Sequence, residues 1–206
     1  MNTNVLKRFI IYMAIATFVM FTVWAFVRSY MNRPPGDYET EVCDIRLKDK
    51  LYDEAMAAAN KALGKTPNHR GAIMCKALIY ISQKDYINAT NELNYLIKYL
   101  ESNLETDDLT GIGTLAAAYA NRGIIKDRNK DYEGALADYV KALGIDHESV
   151  AGPGLGTVIL NYKYKSSSVK ERALYLNEQL QLPEAERVLS IKELDEGQVM
   201  HKPGKL

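Results

Sequence analysis

The pattern of apolar and polar positions divides the chain into an unbroken apolar segment and a longer periodic region. Residues 9–27 carry no charge and follow a short polar head at 1–8. From residue 37 onward, apolar side chains recur every three or four positions among charged ones, which is typical of amphipathic helices. We therefore expect an all-α protein in which one N-terminal transmembrane helix precedes a set of packed helices.

The apolar segment is long enough to cross a bilayer as a single helix. Its nineteen residues rise about 28 Å, close to the roughly 30 Å of a hydrocarbon core. A cleaved signal peptide is the alternative. However, the segment exceeds the usual apolar length of about 7 to 15 residues, and no small-residue cleavage site follows it before Arg28. We expect an uncleaved anchor from Phe9 to Val27, with Trp24 near the membrane interface.

The charges flanking this segment bear on its orientation. Two basic residues stand on each side of it, Lys7 and Arg8 before and Arg28 and Arg33 after. Only the amino terminus breaks the tie, and it favours an N-terminus in the cytoplasm. In a bacterium the rest of the chain then lies in the periplasm. Residues 28–36 form a short linker, because Pro34 and Pro35 lack amide donors and end the helix.

A short stretch recurs three times in the periodic region. Its copies are Lys50-Leu51-Tyr52, Lys84-Asp85-Tyr86 and Lys130-Asp131-Tyr132, each with an alanine three residues further on. The first two tyrosines lie 34 residues apart, which is the period of a helix-turn-helix repeat. The third follows after 46, which is 12 more than one period. This spacing predicts repeats at about 36–69, 70–103 and 116–149, with an insertion at 104–115.

The third copy has the fullest set of residues expected in such a repeat. Aromatic, small and leucine residues stand there at Tyr119, Gly123, Tyr132, Ala135, Tyr139, Ala142 and Leu143. In these residues the chain resembles the tetratricopeptide repeat family. The second copy has Ala77 where the family has glycine and Leu93 where it has an aromatic residue. In the opening half of the first copy, Cys43 stands at the glycine position and Glu39 at the aromatic position. The resemblance implies an array of helical hairpins over 37–149, whose first helices line a concave face.

The resemblance also implies that a protein or peptide partner binds in this concave face. The family's contact positions fall at Asp37, Thr40, Asp44, Lys48, Met74, Leu78, Ile81, Ala117, Ala120, Asn121, Ile124, Asp127 and Arg128. The middle of such a groove is apolar and its rims are charged, which suits an amphipathic helix or an extended apolar peptide. The alternative is that the protein's own helices or tail cover the apolar residues. Members that clamp a partner's terminal carboxylate have lysine or asparagine where this chain has Thr40, Asp44 and Ala117, so we expect a different partner.

Beyond the repeats, the sequence predicts C-terminal capping helices over 150–194 and a loose tail over 195–206. Residues 157–165 fit a helix or a strand equally well. Ser168 is expected to cap a helix over Val169–Leu180. A further short helix is predicted over Glu184–Leu189, after a proline that suits a helix start.

Composition and charge narrow the class of function. Acidic and basic residues balance at 26 each, so nothing favours a nucleic acid as partner. The acidic stretch at 101–108 lacks the alternation and central glycine of a calcium loop, and we expect no metal. His69, His147 and His201 stand apart, with no nucleophile at a recognisable spacing. We therefore predict no enzyme activity, no cofactor and no small-molecule substrate.

Two cysteines, Cys43 and Cys75, are too few for a disulfide scaffold and lack the spacing of a zinc site. The simpler interpretation is that both are small buried residues in the first helices of neighbouring repeats. The alternative, in an oxidising compartment, is a bridge between those repeats.

Together these features predict a single-pass protein of the bacterial inner membrane with a repeat domain in the periplasm. We expect a scaffold that binds a protein or peptide and supports the assembly or stability of an envelope or membrane complex. Two alternatives remain. One is a receptor facing the cytoplasm, as in organelle import receptors. The other is a constitutive subunit of a larger membrane complex, held mainly through residues 9–27.

Overall fold

A computed structural model describes residues 3–31, 33–150 and 168–191 of the chain. All regular secondary structure in these ranges is helical, as the sequence predicts. The predictions for 157–165, for the tail and for His201 lie outside the described residues. The helices are α1 (Thr3–Met31), α2 (Asp37–Lys48), α3 (Tyr52–Lys65), α4 (Arg70–Ser82), α5 (Tyr86–Asn103), α6 (Leu109–Arg128), α7 (Tyr132–Ile145), α8 (His147–Val150), α9 (Val169–Gln181) and a 3-10 helix (Glu184–Glu186).

Helix α1 contains the apolar segment and is long and apolar enough to cross a membrane. None of its apolar window is buried against the rest of the protein. Thr17 and Thr22 each donate a hydroxyl proton to a backbone carbonyl about one turn earlier, so their polar groups are satisfied within the helix. The guanidinium of Arg28 lies 5.1 Å from the ring centre of Trp24, where the apolar segment ends.

Three helical hairpins follow, α2–α3, α4–α5 and α6–α7, and each is joined by a turn of the same conformation. Lys50, Lys84 and Lys130 have φ values of 61°, 62° and 65°. In every turn this lysine's N–H bonds to the carbonyl three residues back, and the next N–H bonds to the carbonyl five residues back from itself. This pattern is the Schellman motif. The recurring stretch thus ends one helix and begins the next.

Small residues set the close packing within the hairpins. Ala55, Ala59 and Ala62 on α3 are fully buried. In the third hairpin a Cβ added to Gly123 would lie 2.6 Å from the ring of Tyr139, so only glycine fits there. Because small side chains let backbones approach, each helix packs closely on its partner. Successive hairpins also pack on each other, α3 against α4 and α5 against α6.

A disulfide joins the first two hairpins. Cys43 on α2 and Cys75 on α4 are bonded, with their Cα atoms 6.5 Å apart, within the usual range for protein disulfides. Both residues are fully buried. The bridged alternative left open by the sequence is therefore the one found, and the bond closes a loop between positions 32 residues apart.

The extra residues between the second and third hairpins lengthen two helices. Helix α5 has 18 residues whereas α3 and α7 have 14, and α6 has 20 whereas α2 and α4 have 12 and 13. The sequence predicts an insertion at 104–115. Its second half, residues 109–115, forms the first two turns of α6. Gly111, Gly113, Thr114 and Leu115 are buried there.

Helix α9 packs against α7. Ser168 and Glu171 form a reciprocal capping box at its start, which is the cap that the sequence predicts. The helix predicted over Glu184–Leu189 is shorter than expected and ends at Glu186. Its second half is extended because Arg187 donates to carbonyls near the end of α9 and Val188 N–H bonds to a glutamine side chain of α9.

A buried ion pair attaches α9 to the hairpin array. The side chains of Arg172 and Asp127 are 1% and 3% exposed. Arg172 Nε and Nη2 donate to the two carboxylate oxygens of Asp127 at 2.8 and 2.7 Å. The hydroxyl of Tyr139 donates to the same carboxylate at 3.1 Å, and Arg172 Nη2 also donates to the Leu189 carbonyl at 2.9 Å. These bonds connect α6, α7, α9 and the segment after it.

Candidate functional site

A cleft of about 810 Å³ lies among α2, α4, the end of α5 and the start of α6. Helix α2 forms one wall. The end of α5, the loop at 104–108 and the start of α6 form the other, and α4 lies between them. Arg33 and Pro34, immediately before α2, reach its edge. We refer to it as the α2–α6 cleft.

The wall contributed by α2 is acidic. Asp37, Glu41 and Asp44 line the cleft together with Thr40. Positions separated by three or four residues lie on the same side of an α-helix, so the sequence spacing brings these carboxylates to one face. Each of these four side chains is partly buried.

The segment before α2 is held against the domain. Arg33 forms an ion pair with Glu41 at 3.0 Å. The hydroxyl of Thr66, at the end of α3, donates to the Pro35 carbonyl at 2.7 Å. These contacts fix the segment that the sequence predicted only as a linker, and they fix the edge of the cleft with it.

His69 lines the cleft and connects the start of α4 to α2. Its Nδ1 accepts from the Ala72 N–H at 3.3 Å and so caps α4. Because Nδ1 is an acceptor there, Nε2 carries the proton and donates to Asp37 Oδ1 at 2.9 Å. Thr40 Oγ1 lies 3.3 Å from Nδ1. Gly36 has φ of 99°, and a Cβ there would lie 2.8 Å from the imidazole, so glycine lets the chain pass beside the ring.

The opposite wall is tied to α4 by an ion pair. Arg70 Nη1 donates to Asp108 in the inserted loop. The other carboxylate oxygen of Asp108 accepts from the Gly111 N–H at 2.8 Å and caps α6. The hydrogen bond from Arg70 holds the pKa of Asp108 below its usual value. The inserted loop is therefore anchored to the same helix that forms the middle of the cleft.

The cleft combines apolar side chains with an excess of negative charge. Met74, Tyr99, Leu100 and Leu104 supply the apolar part of its surface. Five lining carboxylates face only two guanidinium groups. Among the residues that the structure describes, no group of three or more potential ligands is arranged to hold a metal ion. The arrangement is suited to binding a chain segment with both apolar and charged side chains.

The structure places the residues predicted to line a groove in three different environments. Asp37, Thr40, Asp44 and Met74 line the α2–α6 cleft. Lys48 and Arg128 are exposed outside it. The others are buried, and they are Leu78, Ile81, Ala117, Ala120, Asn121, Ile124 and Asp127.

The apolar groove expected at the centre of the array is therefore not an open surface. Helices α4 and α6 pack on each other, and Asn121 Nδ2 lies 3.6 Å from Met74 Sδ across their contact. The buried apolar cluster that α4 and α6 share includes Leu78, Ile81 and Ile124. The alternative left open by the sequence, that the protein covers these apolar residues itself, describes this region.

Sequence reasoning missed the residues that complete the cleft. Arg33 and Pro34 precede the first repeat, and Asn103, Glu105 and Thr110 belong to the insertion and its borders. No family position corresponds to them. The available signal was the break of 12 residues in the repeat period, which marks the place where the chain departs from a regular array.

A second polar cluster joins the second and third hairpins. Arg122 donates from Nε and Nη2 to both oxygens of Asp138 at 2.8 and 2.7 Å, and from Nη1 to Asn94 at 2.7 Å. Its hydrogen bond to Asp138 raises the pKa of Arg122. The hydroxyl of Tyr119 donates to Glu101, and burial raises the pKa of Tyr119 to about 12. These side chains hold neighbouring helices together.

Comparison with models of known protein families, and with curated protein sequences, gives no match for this chain.

Proposed function

We propose that the protein is a membrane-anchored repeat scaffold of the tetratricopeptide type, and that it binds a segment of a partner protein in the α2–α6 cleft. Its role is binding rather than catalysis, and this binding assembles or stabilises a membrane complex. The observation that carries this proposal is the cleft itself. Its walls come from α2 on one side and from the end of α5, the inserted loop and the start of α6 on the other, and Arg33 and Pro34 before the first hairpin also line it.

The assignment to this repeat type is supported by the recurrence of one hairpin. Three hairpins share the Schellman turn with a lysine at positive φ. In each, the alanine three residues after the tyrosine is fully buried, at Ala55, Ala89 and Ala135. Such repetition, with 34 residues between the first two copies, is typical of helix-turn-helix repeat arrays.

The periplasmic placement is supported by the disulfide together with α1. Disulfides persist in oxidising compartments and are rare in the cytosol. The bond between Cys43 and Cys75 thus favours a domain on the outer side of the membrane that α1 spans. It argues against the alternative of a receptor facing the cytoplasm.

Site-specific photo-cross-linking in intact membranes tests the binding proposal. A photoreactive amino acid is placed at Asn103 or Thr110, both exposed and lining the cleft. Val140 on α7 is 58% exposed and lies outside the cleft, so it provides the matched control. We expect an adduct with a partner from the two cleft positions and none from Val140. Adducts from Val140 alone, or from no position, would contradict the proposal.

One observation favours a second function, that of a constitutive subunit held through its membrane helix. The apolar window of α1 has no buried residue and packs on nothing else in the described chain, so its whole surface is available to other membrane helices. Scrambling residues 9–27 at constant composition separates the two functions. Loss of co-purification with the cross-links at Thr110 retained would favour the subunit.

A further inference from the structure

We propose that the α2–α6 cleft selects a segment of its partner that combines lysine or arginine with apolar side chains, at the point where that partner leaves the bilayer. This inference rests on the proposed function, since it specifies the chemistry of the segment that the scaffold binds. It is carried by the charge of the lining, by its apolar surface and by its place in the chain.

The charge of the cleft favours a basic segment. Asp37, Glu41, Asp44, Glu105 and Asp108 face only the two arginines among the lining residues, an excess of three negative charges. Both arginines are already engaged, Arg33 with Glu41 and Arg70 with Asp108. Neither one provides a cation for an incoming carboxylate.

The imidazole of His69 does not reverse this excess. Its Nδ1 accepts the Ala72 N–H, and its Nε2 lies 2.9 Å from Asp37 Oδ1 on α2. Even with the ring counted as a cation, the five lining carboxylates outnumber the lining cations. A concave site with one sign of charge concentrates its potential, so a basic segment is attracted and an acidic one repelled.

The apolar part of the lining gives the segment its second property. Met74 and Leu100 are 1% and 2% exposed at the base of the cleft, and Tyr99 and Leu104 on the inserted wall are partly buried. Side chains seated against them lose apolar surface to the protein, which supplies affinity that charge alone does not. A volume near 810 Å³ lies within the range of about 300 to 1,000 Å³ typical of binding clefts.

The position of the cleft restricts where the segment comes from. Arg33 at its edge is two residues after Met31, the last residue of α1. Two residues span at most about 7 Å of chain. A segment bound there lies close to the membrane surface, which favours a partner whose chain is leaving the bilayer.

The test uses the full chain in nanodiscs of zwitterionic phosphatidylcholine, with empty nanodiscs as the blank. The probe is a library of biotinylated nonapeptides randomised at every position, and retained peptides are sequenced. We expect lysine and arginine to be enriched at least about threefold over aspartate and glutamate. Equal enrichment, enrichment of acidic residues, or no retained peptide would overturn the inference.

Three variants then test whether the cleft is responsible, with the best retained peptide measured by fluorescence anisotropy. Glu105→Lys should weaken its binding at least about threefold, and Arg33→Gln should strengthen it, because the two changes alter the lining charge in opposite directions. Glu133→Lys, an exposed change on α7 outside the cleft, should leave it unchanged. An equal loss in Glu133→Lys, or no change in Glu105→Lys, would refute the assignment to this site.

The cross-linked partner provides the final distinction. Mass spectrometry of the adduct at Thr110 identifies the segment attached there, and we expect that segment to carry net positive charge beside a membrane span. A neutral or acidic segment would refute this inference while leaving the scaffold function intact. The absence of any adduct would remove the proposed function itself.

Discussion

Replacing either partner of the buried ion pair between α6 and α9 should destabilise the protein more than any change to a surface charge. Asp127→Asn leaves Arg172 charged, 1% exposed and without its counter-charge. Arg172→Met leaves the buried Asp127 carboxylate without the arginine, although the Tyr139 hydroxyl still donates to it. Both changes nearly preserve side-chain volume, so they remove charge and hydrogen bonds rather than packing.

The structure sets the expected size of the effect. Arg172→Met loses both charge-assisted bonds, at 2.8 and 2.7 Å, and Asp127→Asn keeps one amide oxygen that can accept from the arginine. In each variant the remaining charge stays buried. Breaking one side of such a pair costs about 3 to 5 kcal/mol. In Asp127→Asn/Arg172→Met neither charge of this pair is left, so we expect a loss below about 2 kcal/mol. The pairwise coupling should therefore exceed about 4 kcal/mol.

Urea unfolding, followed by far-ultraviolet circular dichroism in dodecyl maltoside micelles, measures these free energies. The helix α1 stays in detergent and contributes a constant baseline. Hydrogen exchange of the α9 amides identifies whether α9 detaches before the hairpins unfold, as expected when repeat elements contact only their neighbours. Glu54→Gln is the control, because its pair with Arg46 is 42% and 57% exposed and should contribute below about 1 kcal/mol.

The reasoning would be refuted by single variants that cost less than about 1 kcal/mol, or by a double variant equal to the sum of the singles. Either result would mean that water or a rearranged side chain replaces the lost partner.

Three further predictions concern the turns, the disulfide and the inserted loop. Lys84→Gly should stabilise the protein by about 0.5 to 1 kcal/mol in urea unfolding, since φ is 62° there; the same change at the exposed, mid-helical Lys98 should cost about 1 kcal/mol. Reduction of the disulfide, which spans 32 residues, should cost about 3 to 4 kcal/mol, and an unchanged urea midpoint in dithiothreitol would disprove this. Arg70→Gln should destabilise the protein at pH 7. Because Arg70 lowers the pKa of Asp108 from 3.8, that difference should disappear as pH falls below about 3.8, and a constant difference would contradict it.

The turns between helices were predictable because they depend on local sequence. Each contains a lysine followed by one further residue, and the tyrosine after that is the first residue of the next helix. Asp85 and Asp131 cap α5 and α7 by accepting a backbone N–H three residues on, a signal visible in the sequence itself. The buried alanines of α3 were equally visible, because small residues at helical spacing indicate close packing.

Long-range pairs could not be predicted in the same way. Asp127 was assigned to a partner groove, yet it is neutralised by an arginine 45 residues further along the chain. Nothing near Asp127 in the sequence distinguishes a carboxylate at a rim from one that will be buried by a later helix. The disulfide was left open for a related reason, since its formation depends on the compartment as well as on proximity.

In this chain the sequence pattern reveals how the hairpins pack more readily than where the cleft lies. Periodicity identifies residues that each hairpin needs in order to pack, and these are mostly buried: Leu78, Ile81 and Ile124 were expected in a groove but stabilise the core. A residue that contacts a partner is free from that requirement. In this chain the cleft is completed by Arg33, before the first repeat, and by Glu105, in the insertion. The break in the spacing of the recurring stretch therefore indicates the position of the cleft better than the regular spacing does.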